Sequence, residues 1–190
     1  MITVYAITNF LNASLLILIP LLGLATLADR GLGFTASQVG VVLLIFAALA
    51  TLFQLTAYRY LTKIIALPML IQWGAGLMAL ASMIFPMAGY ASGGSAWLVI
   101  CIALLPMSAG FMFCASLLVA MTSNLAPAGA QGAVQGVARG IASFSRGLGP
   151  LCTGLLFALC SNAATAFPMG AFLVVSAGYI SCCGLMRGVA

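Results

Sequence analysis

Six long apolar runs follow one another in this sequence with almost no charge within them, and that arrangement leaves few folds open. They cover roughly residues 4–28, 39–57, 64–85, 96–121, 131–160 and 163–186. Each comes near the ~20 apolar residues that a helix needs to cross a bilayer. Of 190 residues, 65% are hydrophobic and 4% charged, against about 25% charged in soluble domains. That supply cannot cover a water-facing surface. In hydrocarbon the backbone has to satisfy its own polar groups, which selects helices or closed barrels. Runs of this length select helices. The expected fold class is all-α: a polytopic membrane protein in which residues 1–190 form a single transmembrane domain of six helices, with the lipid bilayer as its first partner.

The breaks between the runs differ in chemistry. Asp29-Arg30-Gly31-Leu32-Gly33 reads as a polar, glycine-rich turn and Tyr58-Arg59-Tyr60-Leu61-Thr62-Lys63 as a short basic one. Residues 86–95 form a Gly/Ser/Pro stretch with Tyr90, residues 123–129 contain Asn124 and Pro127, and residues 161–165 make a short polar turn. Cytoplasmic loops carry an excess of Lys and Arg. With the N-terminus inside, Arg59, Lys63, Arg139, Arg146 and Arg187 all lie toward the cytoplasm and only Arg30 lies outside. Both termini are therefore expected on the cytoplasmic side, with Arg59, Lys63, Arg139 and Arg187 as anchors at that interface. Trp97 and Tyr90 fall where an outer aromatic belt belongs. No basic n-region precedes the first run, so it reads as a span rather than a cleaved signal peptide.

The fifth run holds the most distinctive chemistry. Arg139 and Arg146 are seven residues apart and share a helix face, with Ser143 between them. Gly132, Gly136 and Gly140, spaced by four, make a smooth face on which another helix can come close. An Arg near the middle of a lone span costs about 2.5–3.5 kcal/mol on insertion scales. Arg139 reads as an interface anchor that snorkels, and Arg146 as either an anion-binding group or a latch on a neighbouring helix. Pro20 and Pro106 lie inside spans, and Gly147-Leu-Gly149-Pro150 interrupts the fifth. Pro106, Gly147, Gly149 and Pro150 are hinge candidates, because neighbours can re-satisfy the carbonyls that proline frees.

Polar side chains elsewhere are few: Asn9, Asn12 and Ser14 in the first run, Gln54 in the second, Gln72 in the third, Ser108 and Ser116 in the fourth, Tyr179 in the sixth. Such groups seek partners on facing helices, for about 0.6 kcal/mol each. Asn9, Asn12, Gln72 and Ser108 are also candidates to line an aqueous cavity, with Ser143 and Arg146. The six cysteines fall in or beside apolar runs without a CxxC pair, and read as small buried hydrophobes. There is no histidine, and Asp29 is the single acid. Catalytic dyads, proton relays and metal sites need those residue types. No catalytic residue, metal or cofactor is expected, and the absence of any basic run argues against nucleic acid. No repeat between the first three runs and the last three is legible.

Leu105-Pro-Met-Ser-Ala-Gly-Phe-Met-Phe, Met121-Thr-Ser-Asn, Pro127, Gly132-Ala-Val-Gln-Gly and Ser143-Phe-Ser-Arg146-Gly-Leu-Gly-Pro150 together resemble one region of the major facilitator superfamily. That region is its tenth helix, the following cytoplasmic loop and its eleventh helix, as in drug-efflux-like and zinc-induced-facilitator-like branches. Gly33-Phe-Thr-Ala-Ser-Gln-Val-Gly40 is similar to the outer loop entering the family's eighth helix, and Gln54 to Lys63 occupies the place of its next basic loop. The resemblance covers nearly the whole chain as a C-terminal six-helix half. It implies transmembrane transport of a small solute by alternating access around a site between two six-helix bundles. The partner bundle would be a second copy or a separate chain. Ala130-Gln131 stands where many relatives have an arginine, and the basic loop carries two cations where relatives often have more. These departures favour the alternative of a truncated or degenerate half that acts as a structural or assembly partner without transport.

Overall fold

The computed structural model describes residues 2–26, 31–91, 93–124, 126–127, 129–162 and 169–187. Those residues are helical apart from short connections, with no strand among them. We number the helices α1 (Ile2–Leu24), α2 (Ala36–Ile64), α3 (Leu67–Tyr90), α4 (Gly94–Asn124), α5 (Gln131–Asn162) and α6 (Met169–Arg187). The first five are long and apolar enough to cross a membrane, and α6 carries a shorter apolar stretch, Gly170–Met186. Asp29, Arg30 and the expected start of the sixth span at 163–168 lie outside the described residues.

Local chemistry explains most helix ends. Thr35 caps α2: its hydroxyl accepts from the Gln38 backbone N–H while its own N–H donates to Gln38 Oε1 at 2.9 Å. This is the reciprocal capping of a T-x-x-Q sequence. The chain returning from α1 donates from Leu32 and Phe34 to the carbonyls of Leu22 and Gly23, which would otherwise be orphans of the last turn. Pro20, Pro106 and Pro150 sit inside α1, α4 and α5 without ending them.

Two expected loops are helical. Tyr58–Lys63 was read as a break because it is basic, yet α2 runs through it and stops only at the extended Ile65. The stop is set by Pro68 in the first turn of α3, where its missing N–H costs nothing. Phe85–Tyr90 continues α3 as a 3₁₀ turn. Within α2, Gln54–Tyr58 forms a π turn. Bonds from i to i+5 bring residues five apart to one side, and Phe53 and Tyr58 both meet Phe113 of α4, at ring separations of 5.2 and 6.5 Å.

The core lies among α1, α3, α4 and α6, filled by Leu15, Leu18, Met78, Ile100, Leu104 and Phe172 with their neighbours. Helix α1 packs on α5 and α6, α4 packs on α2 and α3, and α3 packs on α6. Exchanging α1 with α4, α2 with α5 and α3 with α6 carries α1–α5 onto α4–α2 and α1–α6 onto α4–α3. The α3–α6 pair maps onto itself. Helices α2 and α5 flank the bundle, with 22% and 17% of their apolar windows buried against 50% for α1.

The tightest crossing joins α3 and α4. A Cβ on Gly110 would stand 2.6 Å from the Gly74 carbonyl oxygen and 3.0 Å from the Met78 nitrogen, so the helices touch backbone to backbone. The seam expected from spacing behaves differently: at Gly132, Gly136 and Gly140 a Cβ would meet nothing within 4 Å. Gly110→Ala is therefore expected to destabilise the bundle by about 1–3 kcal/mol, the cost of overpacking. Gly136→Ala should leave stability unchanged or slightly raised. Unfolding of both variants in detergent micelles checks the contrast.

Candidate functional site

Helix α5 turns three different stripes to its surroundings. At 3.6 residues per turn, Ala138, Ala142, Gly149 and Thr153 fall on one line and are buried against the bundle. Val137, Phe144, Leu148, Leu151, Leu155 and Leu159 fall on a second, exposed and wholly apolar. The third carries Gly132, Gly136, Arg139, Gly140, Ser143, Arg146 and Gly147, all of them exposed. The apolar stripe suits lipid. The third stripe does not, since it offers two cations, a hydroxyl and bare glycine backbone.

Arg146 is the 16th residue of a 32-residue helix and so stands at its midpoint. Arg139 lies two turns nearer the N-terminal end, about 10 Å away along the axis. Arg146 donates from Nε to the Ala142 carbonyl of its own helix at 3.4 Å. The latch onto a neighbouring helix is not formed among the described residues. A guanidinium has five N–H donors, so most of its capacity stays directed outward. No carboxylate side chain occurs among the described residues to neutralise either arginine, because Asp29 lies outside them.

The other candidates do not converge on this stripe. Asn9 is half-buried and donates from Nδ2 to the Tyr5 carbonyl one turn back, at 2.8 Å. Asn12 is buried and accepts at Oδ1 from the Tyr179 hydroxyl, 2.6 Å away. It ties α1 to α6. The backbone carbonyl of half-buried Gln72 accepts from the Cys183 thiol at 3.3 Å. Ser108 donates to the Leu105 carbonyl at 2.9 Å and borders an apolar groove of about 330 Å³ between α2 and α4 with Thr56. Arg59 and Lys63 are exposed at the end of α2; of Arg187 only the backbone is described. Gly147 has open space around it, and Gly149 is the packing glycine of this pair: its Cβ would stand 3.0 Å from the Phe10 carbonyl oxygen and from Ala13 Cβ.

Sequence reasoning missed Gly74, since a close crossing shows only when two helices are set together. Asn12 and Tyr179 gave no sign of a pair in the sequence, because 167 positions divide them. Cys114 and Cys182 are buried as expected, whereas Cys101 and Cys152 are exposed.

No protein-family model matches the chain, and no curated protein matches it at a significant level.

Tyr179→Phe removes the donor to Asn12 and leaves a buried amide oxygen unpaired. A loss of about 0.6–1.7 kcal/mol is expected, the range for hydrogen bonds between membrane helices, read as a lowered unfolding midpoint in micelles. Asn9→Ala, which removes only a bond within one turn, should cost less.

Proposed function

We propose that this chain is one six-helix bundle of an alternating-access solute carrier of the major facilitator type, working against a second bundle. The observation that carries the reading is the uncovered third stripe of α5. Arg146, at the midpoint of a helix long enough to span, is too costly to leave in lipid, whereas Arg139 can snorkel to the interface. A water-filled path or a protein surface must cover Arg146, and nothing among the described residues does.

The helix pairing supports the same reading. Spans joined by short connections cross in alternate directions, so an exchange offset by three helices inverts them. Inverted three-helix repeats within a six-helix half are a feature of this transporter fold. Among the five long spans the two flanking helices, α2 and α5, have the smallest share of buried residues, as expected if they meet a partner. Both termini then lie in the cytoplasm, by the distribution of positive charge. The open glycines permit close approach by a helix of that second bundle. Arg146 favours a solute with a carboxylate or several carbonyls, which a guanidinium can hold in two-point fashion.

The sole acid in the sequence favours a second reading, a bundle that assembles with a carrier and transports nothing itself. Counterflow in proteoliposomes separates the two, using the full chain alone and co-reconstituted with any partner recovered in mild detergent, and a panel of labelled carboxylates with neutral sugars as controls. Carrier function predicts saturable carboxylate exchange that falls at least tenfold in Arg146→Gln, with Arg146→Lys intermediate because charge remains while the planar fork is lost. Absence of exchange in both settings contradicts it and leaves the assembly role.

A further inference from the structure

Helix α5 carries its charge and its bare backbone side by side. The line from Gly132 through Gly136 and Gly140 to Gly147 measures about 22 Å at 1.5 Å per residue, or about four turns. A Cβ at any of these four positions would meet nothing within 4 Å. An open seam of that length fits a helix lying along it, since glycine lets two backbones come close. Arg139 and Arg146 border the seam and are exposed. Arg146 commits one donor to the Ala142 carbonyl, and Arg139 has no hydrogen-bond partner among the described residues.

The charge of the chain restricts what that helix can be. Six cations stand against one acid, Asp29, which falls between the ends of α1 and α2 in the sequence. A second copy of this chain would bring a guanidinium or a neutral face to Arg146, with no carboxylate in any span to meet it. Like charges set against each other in an interface are costly. A lipid phosphate can serve Arg139 near the headgroups. Arg146, the 16th residue of 32, has about 24 Å of helix on either side of it.

On the reading that a second bundle covers α5, we infer that this bundle is a different polypeptide segment, not a second copy, and that it lays a helix bearing a carboxylate at the level of Arg146 along the glycine seam. A guanidinium and a carboxylate pair through two parallel hydrogen bonds. Each charge alone is costly at mid-span, so each bundle is at ease only beside the other. The donors of Arg146 left over by that pair can hold a solute oxygen, so the contact and the transport proposal share one place.

The full chain with a fluorescent donor at its C-terminus, in phosphatidylcholine vesicles, tests this against synthetic single-span helices of Leu, Ala and Gly. Each helix carries an acceptor and, at its midpoint, Glu, Gln or Lys. Energy transfer should show the Glu helix bound about three- to twentyfold more tightly than the Gln helix, the range for polar contacts between membrane helices, with the Lys helix weakest. The preference for Glu should vanish in Arg146→Gln, persist in part in Arg146→Lys and survive in Arg139→Gln. The order Glu, Gln, Lys on the unmodified chain decides the matter should Arg146→Gln fail to fold. Equal binding of the Glu and Gln helices, or a preference kept in Arg146→Gln, would overturn the assignment. So would tighter pairing of donor- and acceptor-tagged copies of the chain with each other, or loss of the preference in vesicles containing phosphatidylglycerol. Counterflow keeps the two proposals apart. A chain that prefers the Glu helix but exchanges no carboxylate loses the carrier role alone, and saturable exchange by self-paired copies overturns the partner's chemistry alone.

Discussion

Two apolar helices in hydrocarbon gain no hydrophobic energy by touching, since lipid tails are as apolar as leucine; close backbone approach and polar contacts have to hold them. The bundle is built on that constraint. Gly110 brings α4 onto α3 at Gly74, Gly149 brings α5 onto the Phe10 carbonyl of α1, and Gly178 admits Leu11 of α1 against α6. Around these approaches lie the buried polar ties, Tyr179 to Asn12 and Ser176 to the Ala79 carbonyl. They fix α6 to both α1 and α3, so the four core helices are held by contacts that lipid cannot imitate.

The same constraint makes the open surfaces informative. A glycine in the core is explained by the helix it admits. Gly132, Gly136, Gly140 and Gly147 admit none among the described residues, and they share their stripe with Arg139, Ser143 and Arg146. Backbone that lipid cannot solvate and charge that lipid excludes are thus gathered on one line of one peripheral helix. The apolar line beside it, from Val137 to Leu159, is fully suited to lipid. The contrast between adjacent faces of α5 connects the packing to the transport proposal.

Much of this was legible in the sequence, and the failures have physical causes. Apolar length located the long helices, because a span is a demand on composition more than on context, although α2 runs on to Ile64 and α3 to Tyr90, past the expected 57 and 85, and the expected start of the sixth lies outside the described residues. The basic stretch at Tyr58–Lys63 misled, since charge marks an interface and does not break a helix; Pro68 held the signal for the true end. The glycine spacing in α5 was read as a smooth face for another helix, but spacing says nothing about which helix fills it, and among the described residues the close crossings fall at Gly74, Gly110 and Gly149. The exchange symmetry of the helix pairs left no readable repeat in the residues, because apolar packing tolerates many sequences.

The central claim is that the arginine stripe of α5 is covered by water or protein and not by lipid. Single cysteines placed at Gly136, Ser143 and Gly147, and at Val137, Phe144 and Leu148, test it with a membrane-impermeant maleimide on the full chain in native membranes, read residue by residue by mass spectrometry. The account predicts modification at the first three positions, or cross-linking there to a second bundle, and none at the other three. Equal protection of both sets, with no cross-link, would put the stripe in lipid and contradict it.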